Sequence, residues 1–362
     1  MDTAAIAFTF LRILAFILGV LIVLSAIVTA VKTFVVPRGV QDPLARLLFR
    51  ATRTIFRLLA HGKDYDRQDR IMAFYAPVTL LLLPVVLLVV VQIGYMFLYW
   101  AVEPRPFFDL FELSGSSLLT LGSAERETYI SKILEFSEAT IGLILIALLI
   151  AYLPTMYAAF SRRETAVALW DGRAGTPPTV AMMINRTWRT GELTDMGEIW
   201  LAWQIWFSEL EESHTSLASL AFFRSPRPGR SWITAAGNVL DSAAFMLAAV
   251  DIPFEPKAAF CLRSGFLALR HIADYFSIPY DPDPDPNAPI SISRYEFDQV
   301  WAEMAQDEVP LKADKEQAWR DFQGWRVNYD AALLQLASLI MAPYAPWISD
   351  RSAVGQRGKG AK

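Results

Sequence analysis

The sequence predicts an all-α membrane protein: three transmembrane helices plus one short re-entrant helix, followed by a cytosolic α-helical bundle. Three observations carry that prediction. The first 160 residues hold three apolar runs of 20 or more residues, each long enough to cross a bilayer. Arginines cluster between the first and second runs, which orients them. Beyond residue 160 apolar positions recur at helical spacing, and no period-two strand pattern competes.

The 362 residues are 54% hydrophobic, and the mean conceals this uneven distribution. A net charge of −4 lacks the basic footprint of a nucleic-acid partner. The single cysteine, Cys261, excludes an intrachain disulfide framework, has no metal-ligating companion and fits a reducing compartment. No phosphate-binding glycine loop, H-E-x-x-H or C-x-x-C is present, so no enzyme is expected. His61, His214 and His271 stand apart in sequence, and His271 with Asp274 is expected to be packed or solvated, not a metal site. Asp281, Asp283 and Asp285 alternate with prolines, which makes a stiff extended linker and prevents the wrap of a calcium loop.

Residues 4–36 form the first span, with Arg12 and Lys32 near its ends and Pro37-Arg38-Gly39 closing it. The run is too long, and too acidic at Asp2, for a cleaved leader. Residues 37–70 form a basic interfacial segment. Leu44, Leu47, Leu48, Ile55, Leu58 and Leu59 recur at helical spacing, with Arg46, Arg50, Arg53 and Arg57 on the other face. Such a helix lies against membrane lipids, and the positive-inside rule places it in the cytoplasm. The N-terminus and residues 107–127 then lie outside, and the C-terminus inside.

Residues 71–102 are the second span, with Pro77 and Pro84 expected to kink it and Tyr95, Tyr99 and Trp100 forming an outer aromatic belt. Glu103, Asp109, Glu112, Glu125 and Glu127 outnumber Arg105 and Arg126 around the next segment. There, Pro106 introduces residues 107–119, a helix of about 12 residues and ~18 Å, roughly half a bilayer. Thr120-Leu121-Gly122-Ser123 follows as a small-residue strand. Irregular backbone at membrane depth is tolerated only inside protein or against water. The alternative is an extracytoplasmic hairpin in which these residues merely turn the chain. Residues 133–160 are the third span, interrupted by Gly142 and Pro154 and closed by Arg162 and Arg163.

This order of apolar helix, re-entrant helix, Thr-Leu-Gly strand and second apolar helix resembles the pore module of potassium channels and related pore-loop cation channels. The resemblance covers residues 71–160. It implies a homotetramer in which Thr120, Leu121, Gly122 and Ser123 form the selectivity filter, their carbonyls replacing the hydration shell of K+ or another monovalent cation. Glu112, Ser117 and Ala124 would support that filter. Gly142 and Pro154 fall where the family's inner helix hinges, although glycine also permits close helix packing. The basic helix similarly resembles the slide helix of inward rectifiers. The family's Thr-Val-Gly-Tyr-Gly is Thr-Leu-Gly-Ser-Ala here. Ser123 lacks the bracing ring and Ala124 resists positive φ, so weak potassium–sodium discrimination is expected.

Residues 161–192 read as a linker containing GRAGTPP at 172–178, and residues 193–345 as the cytosolic bundle. Thr194-Asp195 starts a helix carrying Trp200, Trp203, Trp206, Phe207 and Leu210 on one face through residue 220. Further helices are expected at 231–250, 256–276, 294–307 and 312–341, and residues 346–362 form a flexible tail. The function expected is a tetrameric cation channel of the cell membrane, regulated by its bundle, with no cofactor beyond the permeating ion. The alternative is a non-conducting membrane-anchored sensor or scaffold whose bundle binds a partner.

Overall fold

Helices account for all the regular structure in the computed structural model, which describes residues 3–36, 42–62, 65–122 and 128–351. The chain divides into two units, Met1–Ile55 with Pro77–Tyr157, and Phe56–Ala76 with Ala158–Lys362. Among the described residues, four helical stretches are long and apolar enough to cross a membrane: Thr3–Phe34, Arg67–Val102, Tyr129–Ala174 and Trp232–Ala249. By length and composition these mark a membrane protein.

In the first unit, α1 (Thr3–Phe34) buries the small-residue stripe Ala15, Gly19, Val23, Ala26 and Ala30. A β-carbon at Gly19 would lie 2.7 Å from the Gly94 carbonyl, so the glycines let two backbones approach, as small residues do between membrane helices. Arg12 donates to the carbonyls of Ala101 and Val102 at 2.7 and 2.9 Å, satisfying orphan acceptors at the end of an antiparallel neighbour. Asp42 caps α2 (Pro43–Ala60), accepting from the amides of Leu44 and Ala45 and from the Thr29 hydroxyl. In α2, Leu44 and Leu48 pack inward, Leu47 and Ile55 are exposed, and Arg46 and Arg50 occupy a third sector.

The expected second span is divided. α3 (Tyr65–Ala73) ends before Phe74, and α4 (Tyr75–Val102) begins immediately after it. Pro77 explains the break, since it has no N–H for the Ala73 carbonyl. It therefore lies in the first turn of α4 instead of kinking it, and only Pro84 is interior. The aromatic belt also differs from expectation. Tyr95 and Tyr99 are buried, because their hydroxyls reach polar partners inside the unit, while Trp100 stays partly exposed edge-on to Phe8. After α5 (Phe107–Leu118) comes α6 (Tyr129–Ala174), 46 residues long and unbroken through Gly142 and Pro154.

α6 continues through residues 161–174, which were expected to be linker, because nothing between Phe160 and Trp170 breaks a helix. The turn is confined to GRAGTPP, and a further helix, α7 (Val180–Arg189), follows with Thr179 as its N-cap. In the second unit, α8 (Gly197–Ser216) buries Trp200, Trp203, Trp206, Phe207 and Leu210, the face expected, and a short 3-10 turn Ala218–Phe222 follows. α9 (Trp232–Ala249) is the centre of this unit, with every residue but Leu247 buried. α10 (Pro256–Tyr275), α11 (Arg294–Gln306), α12 (Lys315–Arg326) and α13 (Asp330–Leu339) complete it. The expected helix 312–341 is split at Val327–Tyr329, where Tyr329 turns to bond Asp241 of α9. Asp281 and Asp285 accept amides two residues on, so the acidic-proline stretch is a chain of local turns.

Candidate functional site

A short helix stands where the sequence predicts one: α5, 12 residues from Phe107 to Leu118 with Pro106 at the N-cap. Its spacing of apolar and small residues buries Leu110, Leu113, Ser114, Ser117 and Leu118 on one face. Phe107, Phe108, Phe111 and Glu112 stand exposed on the other.

The C-terminus of α5 is closed by a double hydrogen bond. The Leu121 amide donates to Ser116 and the Thr120 amide to Ser117, at 2.9 and 3.1 Å. That is a Schellman pair with Thr120 in the left-handed position, at φ 56. Glycine usually occupies this site, and a β-branched residue there costs roughly 1–2 kcal/mol. Gly122 also holds positive φ, at 102. The chain thus reverses at Thr120 instead of entering a regular strand, because the helix-terminating bonds take the first two amides. Leu121 is 76% exposed, and Thr120 and Gly122 are exposed beside it. Ser123 and Ala124 lie outside the described residues.

Behind α5 lies a buried polar cluster. Glu138 of α6 is fully buried; Ser114 Oγ donates to one of its carboxylate oxygens and Tyr99 Oη to the other, the latter at 2.9 Å. Tyr99 Oη also lies 3.4 Å from Ser117 Oγ. Gln92 of α4 donates to the Phe111 carbonyl at 3.3 Å, and Tyr95 pairs with Ser137 at 2.8 Å. Sequence reasoning singled out Glu112 as the carboxylate behind the filter. In the single chain Glu112 is exposed and Glu138 holds the buried position. The signal was present in the sequence as a carboxylate six residues into an apolar run.

Gly142 lies one turn beyond Glu138. A β-carbon there would sit 2.3 Å from the Leu118 carbonyl, so Gly142 lets α6 press against the end of α5. Pro154 is exposed, inside an uninterrupted helix. At the other end of the site, Glu103 accepts from Thr128 and Ser131 at 2.5 and 2.8 Å and pairs with Arg105. Burial pushes the Glu103 carboxyl up, but these hydroxyls and the guanidinium outweigh it and hold it below its ordinary value.

Among the described residues no three His, Cys, Asp or Glu side chains converge as metal ligands. The second unit has a cleft of about 600 Å³ between α7, α9, α11 and the segment after α13, lined by Asn185, Arg186, Gln299, Glu303 and Tyr344 among others. No protein-family model matches the chain, and comparison with curated proteins and with solved structures found no match.

Proposed function

We propose that the chain is one subunit of a tetrameric cation channel of the cell membrane. In this reading α1, α4 and α6 span the bilayer, and α5 enters it from the outer face. The observation that carries the reading is the half-length α5, ending in exposed non-helical backbone from Thr120 to Gly122 and backed by buried polar groups. Non-helical backbone whose carbonyls lack helix partners cannot face lipid at membrane depth, so it needs water and further copies of the chain around it. Four copies would line a path with the carbonyls of Thr120, Leu121 and Gly122, continued by Ser123. The C-terminal dipoles of four α5 helices favour a cation there.

The ion is K+ or another monovalent cation, with weak discrimination because Ser123 and Ala124 replace the family's aromatic and second glycine. The basic face of α2 with its neighbouring exposed leucines lies at the cytoplasmic interface against anionic lipid. In this reading the N-terminus is outside and the helical second unit is in the cytoplasm, where it regulates the pore. The cleft beside α7 favours a second reading, a non-conducting sensor whose cytosolic unit binds a ligand.

Ion flux into liposomes holding the purified protein separates the two. The channel predicts cation flux that Gly122→Val abolishes while the tetramer persists, because valine strains a backbone at φ 102. A wild-type protein that assembles but carries no flux leaves the sensor.

A further inference from the structure

We propose that Glu138 is a positioning residue for ion conduction. It is the latch through which α6 sets the rotation of α5, and so the aim of the carbonyls from Thr120 to Gly122. The inference rests on the channel reading above. An ionisable residue inside a membrane helix is costly unless partnered, and its partners indicate its task. Here they include hydroxyls on two other helices, Ser114 of α5 and Tyr99 of α4, one to each carboxylate oxygen.

Other polar contacts of α5 run to α4: Ser114 Oγ lies 3.2 Å from the Gln92 carbonyl, Gln92 donates to the Phe111 carbonyl at 3.3 Å and Tyr99 Oη lies 3.4 Å from Ser117 Oγ. Toward α6, Leu110, Leu113 and Leu118 share an apolar cluster with Leu145. Apolar burial is non-directional and leaves a short helix free to roll. Hydrogen bonds fix an angle. Ser114 lies on the same face as Ser117 and Leu118, and Ser117 is the acceptor for the Thr120 amide. A roll of α5 at Ser114 therefore passes directly into Thr120 and Leu121 through the helix-terminating bonds. Gly142 completes the device: by admitting the Leu118 carbonyl where a side chain would stand, it brings α6 close enough for Glu138 to reach Ser114.

The test compares Glu138→Gln with Glu138→Leu. Glutamine keeps the length; its carbonyl can accept from Tyr99 while its amide donates to Ser114 Oγ. Leucine fills similar volume without a polar bond. In liposomes under potassium on one side and sodium on the other, Glu138→Leu should shift the reversal potential. It should also lower flux per tetramer about fivefold, the size of one net hydrogen bond, and Glu138→Gln should restore both. A second readout needs no conduction. Cys261 is fully buried, so a Leu121→Cys background offers one exposed thiol at the filter. Its labelling rate by an impermeant reagent should change about fivefold with Glu138→Leu and return with Glu138→Gln.

If the wild-type protein carries no flux, the channel reading falls, and labelling alone judges the latch. Wild-type flux and labelling in Glu138→Leu would overturn the proposal. So would a glutamine variant as impaired as the leucine one, since charge and not hydrogen bonding would then be at work. Should Glu138→Leu fail to assemble, Ser114→Ala and Tyr99→Phe each remove one donor. They must then shift both readouts in the same direction for the proposal to stand.

Discussion

Helices α1 and α9 meet the same criterion of length and apolar content, yet they use their apolar surface in opposite ways. The most apolar window of α1 is 33% buried and that of α9 is 94% buried. Along α1, Phe10, Leu14, Ile17 and Leu21 face outward, whereas α9 is enclosed by helices of its own unit. The polar groups follow the same division. In the first unit Ser114, Ser117 and Glu138 gather behind one face of α5, and Thr29 pairs with Asp42 and Thr79 with Thr52 elsewhere. In the second the buried polar groups knit separate helices together. Fully buried Arg326 of α12 donates to Asp241 of α9, to Asp330 at 2.8 Å and to the Trp347 carbonyl at 2.7 Å. Buried Arg163 donates to the carbonyls of Leu220 and Phe223. Apolar composition therefore marks a helix for burial, and what buries it, protein or lipid, is settled by its neighbours.

The largest effect expected in the second unit comes from Arg326→Ala. It leaves Asp241 and Asp330 without their cation in the interior, at about 3–5 kcal/mol. Cys261, enclosed in the same core, reports it: thiol labelling under native conditions should accelerate strongly, and unchanged labelling would show that the network carries no stability.

A paired substitution tests the contrast itself. Leu240→Ala in α9 should cost about 2–5 kcal/mol, because it empties a site in a packed core. Leu21→Ala on the outward face of α1 leaves no internal cavity and should cost well under ~1 kcal/mol, the ordinary size of a surface change. Denaturant unfolding of the detergent-solubilised protein measures both. Equal costs would mean that α1 is enclosed by protein as α9 is.

A more gradual effect is pH dependence from His214. Burial pushes its imidazole well below the ordinary value, and the neighbouring Arg163 guanidinium adds to this. The guanidinium lies 3.3 Å from Nε2, which must accept, so the ring is held neutral. The unfolded chain therefore binds a proton that the folded one refuses. Stability is full above the unfolded value near ~6.5 and falls as pH drops below it, by at most about 1.4 kcal/mol per pH unit. Wild-type protein should weaken between neutral pH and ~5 more steeply than His214→Gln, measured by the same unfolding assay. Parallel slopes would place the loss elsewhere.

Much of the helical pattern was legible from local chemistry. Pro106 and the apolar spacing of 107–118 announced α5, and the tryptophans of α8 announced its buried face, because helical periodicity and helix starts are written in neighbouring residues. The Thr179 cap of α7 was equally local but was absorbed into the linker by the prolines before it. Residues far apart in sequence were not legible in this way. Nothing near Glu138 says that Ser114 and Tyr99 receive its carboxylate, and nothing near Gly142 names the Leu118 carbonyl. Glu112, the nearer carboxylate in sequence, drew the inference away from Glu138. Hydropathy also cannot separate Trp232–Ala249 from Thr3–Phe34. The sequence by itself determined most of the helical stretches and which of them are apolar, since both depend on spacing within about two turns. Only the tertiary structure decided which carboxylate lies behind α5, which glycine admits a backbone and which apolar helix protein encloses. Those outcomes depend on the partner across the contact, and the chain brings that partner from tens of residues away.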